Sequence, residues 1–166
     1  LIDLVLKKYP KIKKIGEDPA RPGIMHRIDK EVSGIVVIAK TEDAYNNLKK
    51  QFQERTVEKE YTALVYGQIE KNEDQINFPI VRASSGHKMA ALPKTVRGKE
   101  NIIGRAALTQ FAVEKRFINY TLLKVKIKTG RTHQIRAHMA AYGHPIVGDN
   151  LYSTKKTREN NNKINL

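Results

Sequence analysis

The chain has 166 residues and a formal net charge of +14, from 31 Lys and Arg against 17 Asp and Glu. Such an excess attracts polyanions, and nucleic acid ranks ahead of an anionic membrane surface or of a basic domain that binds nothing. The absence of cysteine excludes disulfides, thiolate metal sites and cysteine nucleophiles, and it is compatible with the reducing cytoplasm where we expect the protein.

Apolar periodicity predicts helices where apolar residues recur every three or four positions, and strands where they alternate or form a short run. In chain order, the predicted elements are a helix at 2–9, a strand at 34–39, a helix at 42–54, strands at 60–66, 106–114 and 120–128, and a helix at 132–142. Because strands and helices mix without strict alternation, the pattern predicts one α+β domain over residues 1–166, built on a mainly antiparallel or mixed sheet.

Several boundaries of these elements carry a specific signal. Thr41 and Thr132 are predicted N-caps, because a threonine hydroxyl can accept a hydrogen bond from a free amide of the first helical turn. Gly143 follows the last predicted helix as its C′ residue. The tail after Tyr152 is polar and contains three successive asparagines at 160–162, so we expect it to be loose at its end.

Residues 82–105 show no clear period and are rich in glycine and in basic side chains. The segment predicts a long loop with room for a short hairpin. A solvated surface insertion and an arm that grips phosphates remain equally good interpretations, since long loops are often functional. In the second case Lys88 and Arg97 would bind substrate.

Three stretches could carry chemistry. Residues 26–34 place Asp29 in a charged cluster next to a predicted buried strand, where a rigid frame can present a carboxylate, although a surface Asp in a turn would look the same. Tyr61 begins the strand at 60–66 and on its own predicts only a core or rim residue. Arg131 stands at a strand-to-helix junction, a place that suits anions.

Neither a metal site nor a phosphate-binding loop is predicted. His133 and His138 are five residues apart, which does not place them on one helical face, and no second carboxylate accompanies them. No glycine-rich phosphate loop of either common pattern is present. We therefore expect no metal, nucleotide or organic cofactor.

Taken together, the three stretches resemble the RluA-like family of RNA pseudouridine synthases over nearly the whole chain. RPGIMHRIDKEVSGIVVIAKT resembles the family's catalytic motif, with Ile28 for the usual Leu and Val32 for the usual Thr. QFQERTVEKEYTALVYG resembles the segment that carries the active-site tyrosine. TGRTHQIRAHMAAYGHPIVGDNLY resembles the third motif almost residue by residue.

This resemblance implies the pseudouridine synthase fold, with a mixed, mostly antiparallel sheet and flanking helices, and it implies roles for individual residues. Asp29 matches the catalytic aspartate, Arg131 the arginine that pairs with it, and Tyr61 the tyrosine stacked on the target base. Ile135 matches an apolar residue beside the uracil, and Arg27 an arginine that holds the RNA open. We also predict that His26 contacts the substrate.

The chain departs from the family's pattern at both ends. Family members have a strand with a Lys-Pro-x-Gly turn before the position of Leu1 and a Leu-His-Ala strand after that of Leu166. The resemblance therefore predicts a catalytic domain that lacks its first and last strands and has no S4-type RNA-binding domain.

The implied reaction turns uridine into pseudouridine in structured RNA, with large-subunit ribosomal RNA as the first candidate substrate. The runners-up are a transfer RNA substrate, a relative that binds RNA without catalysis, and a glycosidase that excises uracil. We expect a monomer that needs no protein partner and does not enter a membrane. Whether Asp29 attacks C1′ or removes a ribose proton to give a glycal stays open at this point.

Overall fold

The computed structural model of the chain describes residues 1–84, 86–92, 95–96, 99–100 and 103–161. Its internal packing divides the chain into two compact units, residues 1–57 and residues 58–166. The single domain over residues 1–166 stays a prediction.

The first unit consists of short helices around a small apolar core. α1 spans Ile2–Lys8, a 3-10 helix spans Pro10–Lys14, and α2 spans Glu42–Glu54. The two α-helices were predicted from apolar spacing and are confirmed. At the start of α2, the Thr41 hydroxyl accepts a hydrogen bond from the amide of Ala44 at 3.2 Å, as a capping threonine should.

The predicted strand at 34–39 is wrong, because the described residues around it give it no partner strand. Its hydrogen bonds include the amide of Ala39 donating to the carbonyl of Gly23 at 2.8 Å and the amide of Val37 donating to Nε2 of His26 at 2.9 Å. Ile35 is 85% exposed. The segment is extended, but without a continuous ladder of backbone hydrogen bonds it does not form a sheet strand.

The second unit is built on an antiparallel sheet. Its strands are β1 Glu60–Tyr66, β2 Glu73–Ile76, β3 Ile80–Arg82, β4 Met89–Ala91, β5 Thr95–Val96, β6 Lys99–Glu100, β7 Thr109–Arg116 and β8 Tyr120–Ile127. The main sheet has the order β1-β8-β7-β2, and β3-β4 and β5-β6 form two small hairpins. Every strand pairing among the described residues is antiparallel, which confirms the predicted sheet type and the hairpin within 82–105.

Alternation along β8 explains how the sheet acquires one buried face. Leu123 and Val125 are buried in the core, whereas Lys124 and Lys126 point to the other face. The Glu60 carboxylate lies 3.0 Å from Nζ of Lys124 and 3.8 Å from Nζ of Lys126. This is the solvated lysine face that the alternating sequence predicted.

The last long helix begins later than predicted. α3 spans Gln134–Ala141, and Thr132 does not cap it. His133 occupies the N-cap position instead, with a left-handed φ of 52° and no capping hydrogen bond from its side chain. Gly143 adopts a φ of 93° just past the helix, which confirms it as the residue that ends α3.

The polar tail forms α4, Lys155–Asn161, and the end of the tail, which was predicted to be loose, lies outside the described residues. The buried amide of Asn161 accepts hydrogen bonds from Tyr66 Oη at 2.5 Å and Gly148 N at 2.9 Å. It donates to Asn150 Oδ1 at 3.0 Å and Ser153 Oγ at 3.2 Å. Four hydrogen bonds therefore hold the end of α4 to the sheet and to the loop before the helix.

Candidate active site

Asp29 belongs to the first unit and stands in an irregular segment. Its carbonyl accepts a hydrogen bond from the amide of Val32 at 3.1 Å, so Asp29 is the first residue of a β-turn, a position that aspartate favours. The side chain is half-buried. The alternative interpretation of Asp29 as a turn residue is thus correct for its backbone, and the turn by itself assigns no role to the carboxylate.

His26 supports the same segment. Its ring stacks on Phe52 of α2, with centroids 5.0 Å apart and planes 14° apart. Burial lowers the pKa of His26, and the amide of Val37 donates to Nε2, which requires a lone pair on that nitrogen. Arg27 is exposed beside it. His26 therefore ties the backbone around Asp29 to α2, a structural role that the sequence did not predict.

The second unit contains Tyr61, Arg131 and Ile135. Tyr61, on β1, and Ile135, in the first turn of α3, are both half-buried and pack against the same core cluster. Arg131 lies in the turn between β8 and α3, where its Nε donates to the carbonyl of Ala106 at 3.2 Å. The structure thus brings an aromatic and an aliphatic side chain to one core cluster, and it places the arginine three residues before the helix.

The predicted phosphate arm is described only in part. Lys88 is half-buried, and its carbonyl accepts from the amide of Ala83 at 2.9 Å across the hairpin turn. Arg97 lies outside the described residues. The role of the arm stays a prediction.

A network around α3 was not predicted. Arg136 donates from Nε and Nη2 to the two carboxylate oxygens of Asp149, at 2.7 and 3.0 Å. The Arg136 guanidinium also lies over the ring of Tyr152, with its Cζ 5.1 Å from the ring centroid. The Tyr152 hydroxyl is 3.0 Å from Nδ1 of His133 and accepts from the amide of Met89 at 2.8 Å.

This network explains two features of the site. Burial of Asp149 acts to raise the pKa of its carboxyl group, but the hydrogen bonds and the charge of Arg136 help bring this pKa below its usual value. The contact between Tyr152 and His133 helps hold His133 in its left-handed conformation, which is otherwise unfavourable for a residue with a side chain. The one sequence signal for this network was Asp149, an acidic residue that follows the motif with Arg131 and Arg136.

A buried histidine makes the stability of the second unit depend on pH. Burial lowers the pKa of His138, whose Nε2 donates to the carbonyl of Phe78 at 2.9 Å and whose Nδ1 faces Thr109 Oγ1 at 2.9 Å. In the unfolded chain the histidine takes up a proton at higher pH than in the folded protein. The stability that neutral His138 contributes is therefore fully present above its unfolded pKa, and it is lost as the pH falls from there through the lower pKa of the folded protein.

We expect the urea midpoint to be lower at about pH 5.5 than at about pH 7.5, measured by circular dichroism. His26 contributes with the same sign, so His138→Gln is the matched comparison, and its change over this pH range should be smaller. An equal pH dependence in both proteins would contradict the assignment to His138.

Metal-binding clusters and membrane-spanning helices are both absent from the residues that the structure describes, 1–84, 86–92, 95–96, 99–100 and 103–161. No group of three or more His, Asp or Glu side chains in these ranges could hold a metal ion. No helix in the same ranges is long and apolar enough to cross a membrane.

Comparison with known proteins gives consistent results. A family model described as RNA pseudouridylate synthase matches residues 4–141. An uncharacterized RNA pseudouridine synthase of Aquifex aeolicus is 45% identical over 159 residues, which cover 95% of this chain and 48% of that protein. The ribosomal large subunit pseudouridine synthase D of Blochmanniella floridana is 38% identical over 152 residues, with coverages of 92% and 44%.

Solved structures show the same fold. Human RNA Pseudouridylate Synthase Domain Containing 1 superposes with a TM-score of 0.74 at 32% identity, over 96% of this chain and 64% of that chain. Human RNA Pseudouridylate Synthase Domain Containing 4 gives 0.71 at 29% identity, over 93% and 60%. The chain spans about half the length of the curated relatives it matches. On the family match, the relatives and the fold, the chain belongs to the RNA pseudouridylate synthase family.

Proposed function

We propose that residues 1–166 act together as the catalytic domain of a pseudouridine synthase that isomerises uridine in RNA. The observation that carries the proposal is the family match over residues 4–141. Asp29, Tyr61 and Arg131 lie within these residues, in the stretches that resemble the family's motifs. The names of several relatives, ribosomal large subunit pseudouridine synthase D, support large-subunit ribosomal RNA as the substrate. We also propose a cytoplasmic site of action.

The reaction breaks the N1–C1′ bond of uridine, rotates the uracil and forms a C5–C1′ bond. The net composition of the nucleotide is unchanged and no water is consumed, so a second carboxylate to activate water is not needed. In one route Asp29 attacks C1′ as N1 leaves, and C5 of the uracil then displaces the carboxylate from C1′. In the other, Asp29 removes the C2′ proton as the uracil leaves, and it returns this proton when C5 bonds to C1′. In both routes Arg131 stabilises the negative charge of Asp29. After the new bond forms, a proton leaves C5 and another binds N1, and Tyr61 is the proposed base or relay for the first transfer.

The target nucleotide must leave its stack before Asp29 can reach it. Extrusion costs a few kcal/mol, which contacts to the phosphates and to the extruded base offset. We propose that Tyr61 stacks on the uracil with Ile135 beside it, and that Arg27 and His26 contact the opened RNA. The half-buried positions of Tyr61 and Ile135 on one core cluster support the first part of this proposal.

The direct test measures tritium release from C5 of labelled uridine in large-subunit ribosomal RNA and in transfer RNA. Pseudouridine formation in the ribosomal substrate supports the proposal, and formation in transfer RNA alone would change the substrate. RNA binding without tritium release would indicate a non-catalytic relative. Free uracil, detected by chromatography, would indicate a glycosidase.

The basic arm should dominate the salt dependence of RNA binding. Replacing four of its basic residues by alanine should reduce the slope of log affinity against log salt by roughly 1 unit for each phosphate that the variant no longer binds. These residues are Lys88, Lys94, Arg97 and Lys99. Fluorescence anisotropy at several salt concentrations measures the slope.

A charge-matched control is available in four lysines that already have carboxylate partners. They are Lys50, Lys71, Lys124 and Lys126. Their joint replacement by alanine removes the same net charge and should change the slope much less. If the slope is unchanged in the arm variant, or changes equally in the arm variant and in the control, residues 82–105 are a solvated surface insertion and not an arm that binds phosphates.

A further inference from the structure

The turn between β8 and α3 is held by two buried polar side chains, Thr129 and Gln134, which are 7% and 3% exposed. Oε1 of Gln134 accepts from the Thr129 hydroxyl at 2.7 Å and from the backbone amide of Arg131 at 3.0 Å. The Thr129 hydroxyl accepts in turn from the amide of Leu108 at 3.1 Å. The backbone of Arg131 is thereby tied through two side chains to Leu108, the residue before β7.

The other end of the Gln134 amide fixes its orientation. Nε2 donates to the carbonyl of Leu108 and to Thr109 Oγ1, both at 3.0 Å. Because a carbonyl can only accept, the nitrogen of Gln134 must face Leu108, and its oxygen must face Arg131. All four hydrogen bonds of the carboxamide are made.

The same chain of hydrogen bonds continues into the core. Nε2 of His138 donates to Phe78 O, so Nδ1 has a lone pair that accepts from the Thr109 hydroxyl. Thr109 and His138 are fully buried. Each donor in the series therefore has one direction, and in a low-dielectric interior such a network admits few alternative arrangements.

We propose that Thr129 and Gln134 are positioning residues: they fix the backbone of the turn, and the turn sets the position from which the Arg131 side chain stabilises the charge of Asp29. This inference rests on the proposed function. Without the Thr129 hydroxyl, Gln134 loses one donor and Leu108 N loses its acceptor. The turn can then adopt other backbone angles, and the Arg131 guanidinium moves with it. A displacement of about 1 Å in a catalytic group can cost on the order of 100-fold in rate.

The test compares Thr129→Val, which keeps the shape and removes the hydroxyl, with Thr129→Ser, which keeps the hydroxyl. Thr121→Val is the matched control, because Thr121 is a buried threonine at the opposite end of β8 that donates to Gly67 O at 2.8 Å and accepts from Ile69 N at 3.1 Å. We expect Thr129→Val to lower kcat by roughly 10- to 100-fold with little change in KM or RNA affinity. Thr129→Ser should restore most of kcat, and Thr121→Val should leave kcat unchanged at a temperature where all variants are folded.

Hydrogen exchange of the Arg131 amide gives a second result that does not depend on turnover. Exchange should be faster in Thr129→Val, close to wild type in Thr129→Ser, and unaffected in Thr121→Val. If the wild type is active, the inference is overturned by a normal kcat in Thr129→Val or by equal reductions of kcat in both valine variants. Unchanged exchange at the Arg131 amide in Thr129→Val would also overturn it. If the wild-type chain forms no pseudouridine, the proposed function is contradicted instead. The exchange rates then still test whether Thr129 fixes the backbone at Arg131.

Discussion

Asp29→Asn should give a protein that folds, binds RNA and forms no pseudouridine. An amide is a very poor nucleophile and a very poor base, so neither attack on C1′ nor removal of a ribose proton remains possible. The fold should persist, because asparagine is nearly isosteric and also suits the first position of the turn in which Asp29 lies. RNA affinity should persist as well, since contacts to phosphates dominate it.

The measurement combines tritium release, RNA affinity and the thermal midpoint. Asp29→Ala should be tested beside Asp29→Asn, because asparagine can deamidate to aspartate and give trace activity. Glu31→Gln is the matched control: this exposed carboxylate lies two residues away, and its loss should leave the rate unchanged. If both Asp29 variants fold, bind RNA and retain more than a small fraction of the wild-type rate, Asp29 is not the nucleophile or base.

Arg131→Ala should abolish turnover, and Arg131→Lys should restore little of it. The proposed role of Arg131 is to stabilise the carboxylate of Asp29 with a planar guanidinium that can make two parallel hydrogen bonds, whereas lysine supplies a point charge. Loss of a comparable charge-stabilising donor costs roughly 100- to 1,000-fold in kcat. In the alanine variant the guanidinium donor to Ala106 O also disappears, so the thermal midpoint must be measured together with the rate.

Arg116→Lys controls for the general effect of replacing an arginine in this unit. Arg116 donates to the carbonyls of Ile69 and Glu70 and to Asn72 Oδ1, and it belongs to no catalytic motif. We expect this variant to lose some stability and no activity. Near-normal rates in Arg131→Lys would show that charge alone is required at residue 131.

Local sequence signals were sufficient for much of the fold. Helix α2 was predicted at its observed bounds, because Thr41 caps it and its apolar residues recur on one face. Strand β8 was predicted within one residue, since alternating lysine and aliphatic side chains define a sheet with one solvated face. Both signals act within a few residues along the chain.

The failed predictions depended on distant parts of the chain. The run at 34–39 has the composition of a buried strand, yet a strand also needs a partner, which composition does not supply. Thr132 has the residue type of a cap, but the Gln134 side chain holds the preceding turn, and α3 begins at Gln134. The outcome is set by contacts with β7 and the residue before it, which the local sequence does not reveal.

In the candidate site, too, local sequence motifs could be recognised, whereas contacts between distant segments could not. Asp29, Tyr61 and Arg131 could be selected because family motifs identify them, whereas residue type alone favoured a turn, a core tyrosine and an anion site. The buried series from Phe78 to Arg131 could not be predicted, because its members come from separate segments of the chain. Within this series, Gln134 lies only three residues after Arg131, and Thr129, which binds Gln134, lies two residues before it, so these two were close enough in sequence to suggest a link.

The four hydrogen bonds of Asn161 have a consequence for the chemical ageing of the protein. Asparagine side chains hydrolyse slowly to aspartate, which replaces the donor nitrogen by an acceptor oxygen. At residue 161 that change would set a carboxylate against Asn150 Oδ1 and Ser153 Oγ, where an amide now donates. A single hydrolysed bond, with no change in the encoded sequence, would therefore weaken the attachment of α4 to the sheet.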